Sequence, residues 1–283
     1  MLLKRIIQQR LSEKVTDIAP LTGGDINQVY LINCVDKRYV VKHNSRTRFP
    51  EMFELEVQGL KALSKCGART PAVIDHFESD KEQFLILEYI EQEAAKSEFW
   101  VHFSHDLSTL HQSSNTFFGL RQDNYIGSLI QANDPMPSWE SFFIEKRLQP
   151  LTRIAFDKRL LSTRHLSDFE RLYKMFSKLI PVEPPAMLHG DLWSGNLLCA
   201  SGQQAVFIDP AVYFGHREVD IAMTQMFGGF GRQFIEAYNE RFALQNDWEQ
   251  RIPIHNLYPQ LVHLILFGHS YLSGIEQVLK RFS

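Results

Sequence analysis

Two rhythms of hydrophobic and polar positions divide this chain. Leu3, Ile7 and Leu11 recur every four residues, the spacing of one face of an amphipathic helix. The segments 29–35 and 38–42 are rich in β-branched and aromatic residues, with Asp36 and Lys37 between them as a turn, so they predict two strands. Thr22-Gly23-Gly24-Asp25-Ile26-Asn27 precedes them as a glycine-bearing turn. From residue 51 to 65 the rhythm becomes helical, with Phe53, Val57, Leu60 and Leu63 on one face. Two more strands are expected at 73–77 and 84–90, and the near-unbroken apolar run FLILEYI of the second predicts a buried strand.

A polar run, EQEAAKSE, follows Ile90 and reads as a connection between two parts of the fold. Beyond it the pattern is mainly helical, over 98–113, 138–149, 166–180, 217–227, 231–243 and 255–280. The exception is 188–209, where two short strand-like stretches flank a turn rich in Gly and Asn. No internal repeat appears. The expected class is α+β and bilobal. A small sheet-plus-helix lobe spans 1–90, a linker 91–97 and a larger, mainly helical lobe 98–283. A cleft between such lobes is a common place for a ligand.

The composition narrows the class. A chain of 283 residues can bury roughly three quarters of its unfolded surface, so neither disulfides nor metals are needed for stability. Charged residues at 22% and aromatics at 12% exclude a disordered protein. A net charge of −3 gives no electrostatic case for a nucleic-acid binder. Cys34, Cys66 and Cys199 are far apart and lack metal-ligand spacing, which suits a reducing compartment. Lys4 and Arg5 interrupt the first apolar run, no cleavage signal follows, and no run of 18 apolar residues exists. The expectation is a cytoplasmic enzyme without a membrane span.

The chemistry concentrates in Leu188-His189-Gly190-Asp191-Leu192-Trp193-Ser194-Gly195-Asn196. Asp209 follows thirteen residues after Asn196, at the end of the apolar stretch 205–208. Asp191 and Asn196 stand five apart, the spacing of the base and the metal-binding Asn in the kinase loop H-R-D-x-x-x-x-N. Phosphoryl transfer needs a carboxylate to orient the attacking hydroxyl and accept its proton, and hard oxygen ligands to hold Mg²⁺. An isolated Asp or Asn in a turn more often makes turn hydrogen bonds, but the joint set points to transfer.

HGD-x-x-x-x-N followed by strand and Asp resembles the aminoglycoside/choline kinase branch of the protein-kinase-like fold. The finer pattern resembles the fructosamine-3-kinase or ketosamine-3-kinase family within it. Its hallmarks stand here as HGDLWSGN (189–196), FIDPAVYFGHREVDIAM (207–223), MFGGF (226–230), FGLRQDNYIGS (118–128), Trp139 with FFIEKRL (142–148), GGDIN (23–27), VVKHN (40–44) and MFELE (52–56).

The resemblance implies a small antiparallel-sheet lobe that binds ATP and a helical lobe that binds substrate. It gives Lys42 the role of contacting ATP phosphates and Glu56 that of its ion-pair partner. Glu56 lies at i+3 from Phe53 and i−4 from Leu60, beside the apolar face, where a carboxylate wants a partner; Glu54 is the rival. Gly23 and Gly24 would cover the phosphates with backbone N–H groups, or form a plain turn. Glu88, Tyr89 and Ile90 would meet adenine through the backbone.

Asp191 would be the base, while Asn196 and Asp209 would hold Mg²⁺. His189 would order the loop. Asp220 would anchor its backbone, or serve as an ordinary helix-start carboxylate. Trp193 would either stack on substrate or pack beneath the loop. The implied activity is ATP-dependent phosphorylation of the 3-hydroxyl of a ketosamine, free or on a glycated protein, as a step in deglycation. The rivals are a kinase for an aminoglycoside, choline or sugar, and a catalytically silent nucleotide-binding protein.

Overall fold

The computed structural model describes residues 2–21 and 26–282. Helix α1 (Leu2–Leu11) and strand β1 (Val15–Pro20) lead into β2 (Gln28–Cys34) and β3 (Arg38–Ser45). Helix α2 (Met52–Lys65), β4 (Val73–Glu78) and β5 (Glu82–Glu88) complete the first lobe. The five strands form one antiparallel sheet in the order β1-β2-β3-β5-β4.

The unbroken apolar run of β5 has a direct cause: both faces of the sheet are covered. Phe84 and Ile86 pack with Ile7 of α1, whereas Leu85 and Leu87 pack with Phe53, Val57 and Leu60 of α2. The same period of two acts on β3. Tyr39 and Val41 join the α1 side, so Val40 and Lys42 fall on the α2 side. Burial on one face thereby aims Lys42 at α2.

The polar run after Ile90 is fastened down. Gln92 bridges to Ala200, and the Glu93 N–H donates to the Cys199 carbonyl at 2.9 Å. The Glu93 carboxylate accepts from Gln203 N at 2.9 Å and Gln203 Nε2 at 2.7 Å. The run is polar because it bonds this turn. Leu63 and Ala68 of the first lobe also pack into one cluster with Phe99, Phe103 and Leu107 of the second.

The second lobe continues with α3 (Ser97–Gln112), the short hairpin β6 (Asn124–Ile126) and β7 (Leu129–Gln131), and α4 (Trp139–Phe142). A π-helical stretch, Phe143–Leu148, joins α4 to α5 (Gln149–Asp157). This differs from the single helix expected over 138–149. Arg147 on that stretch is fully buried; it donates to Ala132 O and Asn133 Oδ1, both at 2.6 Å, and lies 4.1 Å from the Tyr213 ring centroid. Helix α6 (Thr163–Leu179), β8 (Ala186–Leu188), β9 (Leu197–Ala200), β10 (Gln204–Phe207) and β11 (Tyr213–Gly215) follow.

Helices α7 (Glu218–Met226), α8 (Arg232–Arg241), α9 (Trp248–His255), α10 (Leu257–Phe267) and α11 (Leu272–Leu279) close the chain. The helix expected over 255–280 is therefore three pieces, broken at Asn256 and at Gly268, whose φ of +91° only glycine adopts at little cost.

The GHRE part of the sequence builds a buried clamp. Arg251 holds both Glu218 carboxylate oxygens, at 2.8 and 2.5 Å, and Arg217 holds both of Glu183, at 2.8 and 2.9 Å. His216 stacks on His255 at 5.3 Å between ring centroids. His216, Glu218 and His255 place three ligand-type atoms within 4.8 Å of one another, but Arg251 already occupies both Glu218 oxygens.

Burial alone would raise the Glu218 carboxyl, yet hydrogen bonds from Arg251 and His255 outweigh it and hold the group at about 2. Glu218→Gln leaves the Arg251 charge buried without its counter-charge and is expected to cost about 3–5 kcal/mol, read from urea unfolding at neutral pH. The difference from wild type should be full above pH 4.5 and vanish as pH falls through about 2, because the native carboxylate is lost there. A Glu218→Gln midpoint equal to wild type at pH 7 would remove the clamp.

Candidate active site

Lys42 stands on β3 and reaches two carboxylates. Its Nζ donates to Glu56 Oε1 at 2.5 Å and also pairs with Asp209 Oδ1. Glu54 turns the other way, to His76 Nε2 at 2.6 Å, so the choice between the two glutamates falls to Glu56. Burial would lower the Lys42 pKa, but Asp209 and Glu56 outweigh it and raise it above its ordinary value. Burial also raises the Glu56 carboxyl, which Lys42 partly offsets. Helix α2 is seated against the segment after Asp209: a Cβ on Gly59 would lie 3.2 Å from Pro210 Cγ.

The loop after β8 is held from behind. Asp220 accepts the His189 N–H at 2.7 Å and the Gly190 N–H at 2.9 Å, and its Oδ2 meets His111 Nε2 at 3.2 Å. All three side chains involved are buried. His189 Nε2–H donates to the Ile208 carbonyl at 2.9 Å, and its Nδ1 accepts the Asp191 N–H at 3.3 Å, which fixes a neutral ring. Burial lowers the pKa of His189 and keeps it so. Gly190 has φ +82°, and a Cβ there would lie 2.1 Å from the Ala211 carbonyl, so no larger residue fits.

Asn196 Nδ2 donates to Asp191 O at 2.8 Å and to Asp191 Oδ2 at 3.1 Å. The acceptor oxygen Oδ1 of Asn196 is thus the atom that can meet a cation. Asp209 has φ +55°, an uncommon conformation for a side-chain-bearing residue and one that can mark a site under functional constraint. Burial pushes the Asp191 carboxyl up to about 7, with the nearby Asp209 charge adding to it. Two carboxylates and an amide oxygen at one place, with negative charge in excess, are a donor set that suits a hard divalent cation.

Lys42, Glu56, Asp191, Trp193, Asn196 and Asp209 line one cleft of about 700 Å³ between the lobes. Trp193 is half-buried, with its ring over Gly195, where a Cβ would lie 2.2 Å from the indole. It faces the cleft rather than the core.

The residues at the end of β5 do not line that cleft. The Glu88 carboxylate accepts the Ala72 N–H at 3.0 Å, the Arg38 guanidinium lies 4.4 Å from the Tyr89 ring centroid, and Ile90 is buried beside Ala200 and Val206. Gly23 and Gly24 lie outside the described residues.

Several cleft residues were not singled out from sequence. The β6–β7 hairpin contributes Asn124 to Gly127, and α10 with the turn after it contributes Pro259, His263, Phe267 and Tyr271. Asn124 Nδ2 donates to Val212 O at 2.8 Å, Gln131 Nε2 donates to Asn124 Oδ1 at 2.6 Å, and the Tyr258 hydroxyl donates to Gln131 Oε1 at 2.6 Å. This chain of bonds pins the backbone just past Asp209. NYIG was visible as a motif, but its bonding partner lies 88 residues away.

Known proteins resemble this chain in sequence and in overall fold. The family model described as fructosamine kinase matches residues 2–283. A protein of Enterococcus faecium named "probable ketoamine kinase" is 38% identical over 269 residues, covering 94% of this chain and 95% of that one. A crystal structure from Thermobifida fusca, provisionally named a fructosamine-3-kinase, superposes with a TM-score of 0.88 at 31% identity, covering 98% of this chain and 97% of that one. The aminoglycoside phosphotransferase APH(4)-Ia, in a ternary complex with ADP and hygromycin B, shares the protein-kinase-like fold. Its TM-score is 0.65 at 12% identity, with 99% of this chain and 98% of that one covered.

Proposed function

The chain belongs to the fructosamine kinase family and is a phosphotransferase, and on that premise we propose that it moves the γ-phosphoryl group of ATP to the 3-hydroxyl of a ketosamine. The observation that carries this reading is Lys42 bridging Glu56 and Asp209 in the same cleft as the Asp191–Asn196 pair. Lys42 holds ATP phosphates, and Glu56 keeps its ammonium in place. Asp191 orients the acceptor hydroxyl and takes its proton as the phosphorus–oxygen bond forms. Asn196 and Asp209 would hold Mg²⁺, which neutralises phosphate charge when bound. Most of the rate comes from positioning and electrostatics.

The Glu88 N–H already donates to Ala72 O at 2.9 Å, so the backbone of Tyr89 and Ile90 is left for the adenine edge. Leu198 and Ile208, part-exposed beside Ile90, offer an apolar floor. Gly23 and Gly24 keep the expected role over the phosphates. Free Cys34, Cys66 and Cys199 suit a cytoplasmic enzyme.

The choice of the 3-hydroxyl gives the reaction a purpose. A ketosamine carries its amine at C1 and its carbonyl at C2. Enolisation toward C1 makes the C3 substituent allylic, and phosphate leaves far more readily than hydroxide. Hydrolysis of the resulting imine frees the amine, which is deglycation.

A coupled ADP-release assay over ketosamines, aminoglycosides, choline and free sugars tests the reading. Turnover confined to ketosamines is expected. Turnover of any other class alone overturns it.

Trp193 gives a second test. A ketosamine nitrogen is largely protonated near neutral pH, and a cation is favoured over an aromatic face. Trp193→Ala is expected to lower kcat/KM for ketosamines by about 1–3 kcal/mol while the ATP KM and melting temperature hold. A variant that loses ~3–5 kcal/mol of stability yet keeps normal kcat/KM would return Trp193 to a packing role.

A further inference from the structure

Five rings in successive contact line the cleft on the way out from Asp191. Ring centroids of Trp193 and Phe227 lie 6.0 Å apart, those of Phe227 and His263 5.1 Å, and His263 meets Tyr271 at 4.9 Å and Phe267 at 5.4 Å. All five border the cavity that holds Asp191. Phe227 and Phe267 remain 43% and 47% exposed, unlike the phenylalanines of the core. Contiguous apolar area on a concave wall is what a ligand covers.

The ladder is assembled from three separated pieces of chain, and its placement is fixed. Gly229 has φ +91°, and a Cβ there would lie 2.7 Å from Ser194 Cβ. The Phe227–Gly229 turn therefore sits directly on the loop that carries Asp191. Charge is divided along the cleft. Lys42, Glu56, Asp191 and Asp209 gather at one end, and among the described lining residues no Lys, Arg, Asp or Glu borders the end formed by Phe227, Phe267 and Tyr271.

We propose that Phe227, Phe267 and Tyr271 form a subsite for the substituent on the ketosamine nitrogen, and that it takes an apolar or aromatic, uncharged substituent. The proposal rests on the ketosamine reading above. With the sugar hydroxyl at Asp191 and the nitrogen beside Trp193, the amine's own substituent extends along the ladder. An aromatic ring there covers exposed rings. A carboxylate there, as on an adduct of an α-amino acid, loses water and, among the described lining residues at that end, meets no Lys or Arg in return.

The test uses three ketosamines of one sugar, made from methylamine, benzylamine and glycine. The benzylamine adduct is expected to have a KM about tenfold below that of the methylamine adduct, with the glycine adduct no better than methylamine. Phe267→Ala removes an exposed ring, so the fold is spared. It should lower kcat/KM for the benzylamine adduct about tenfold more than for the methylamine adduct. Adducts within about twofold of one another, or a variant that lowers both equally, would overturn the subsite alone. Turnover of none of the three would overturn both the subsite and the ketosamine reading.

Discussion

Asp191→Asn is expected to lower kcat by about 10²–10⁴-fold, or ~3–5 kcal/mol, while ATP binding is nearly preserved. The substitution keeps the shape of the side chain and the backbone bond from Asn196 Nδ2 to Asp191 O, so the loop stays closed. It removes the carboxylate oxygen proposed to accept the hydroxyl proton. Burial and the Asp209 charge already make this carboxylate reluctant to ionise, and they bring it to about 7. In the proposed arrangement ATP would contact Lys42 and the lobe interface and would not depend on the Asp191 carboxylate. Single-turnover kinetics with titration of a fluorescent nucleotide separates the two effects. Turnover within tenfold of wild type would remove Asp191 as the base.

Asp209→Ala is expected to abolish Mg²⁺-supported turnover. Asp209 is the carboxylate that Lys42 shares with Glu56, and with Asn196 it forms the oxygen donor set of the cleft. Its loss would remove a proposed cation ligand and leaves the buried Lys42 with Glu56 alone. Asn196→Ala should raise the Mg²⁺ requirement without abolishing turnover, because the charged ligand proposed, the Asp209 carboxylate, would remain. Lys42→Ala should instead raise the ATP KM, since it removes the positive charge proposed to face the phosphates. Crossed titrations of Mg²⁺ and ATP distinguish the three. Unchanged dependence on both in all three variants would dismantle the site.

What the chain shows in sequence follows from how local each signal is. Lys42 and Glu56 could be paired on paper because a strand period of two and a helix spacing of i+3 and i−4 both act within a few residues. The same locality made β5 and the loop rich in Gly and Asn after β8 readable. Strand β1 escaped notice because it is an edge strand, has an irregular register near Val15 and ends in Pro20, so its pattern is weak. The π-helical turn at Phe143–Leu148 has a helical pattern, and only packing of Arg147 among Phe142 and Tyr213 sets it apart.

The rest of the cleft was hidden for a different reason. Phe227 follows α7, His263 and Phe267 stand on α10 and Tyr271 follows it, and each reads singly as a core aromatic. Only folding reveals that they share a wall and that two of them stay exposed. Asn124 likewise has a turn-like composition around it, and its bond to Val212 is long-range. The adenine contact proposed at the end of β5 would use backbone groups, where side-chain identity carries little information.

The most direct test of the central claim is phosphorus NMR of a reaction with ATP, Mg²⁺ and a ketosamine such as a ribulosamine or fructosamine. The account predicts one phosphate monoester coupled to the proton on C3, formed one for one with ADP, followed by inorganic phosphate and free amine. A stable ester on another hydroxyl, or no ester while an aminoglycoside, choline or free sugar is phosphorylated, would contradict it.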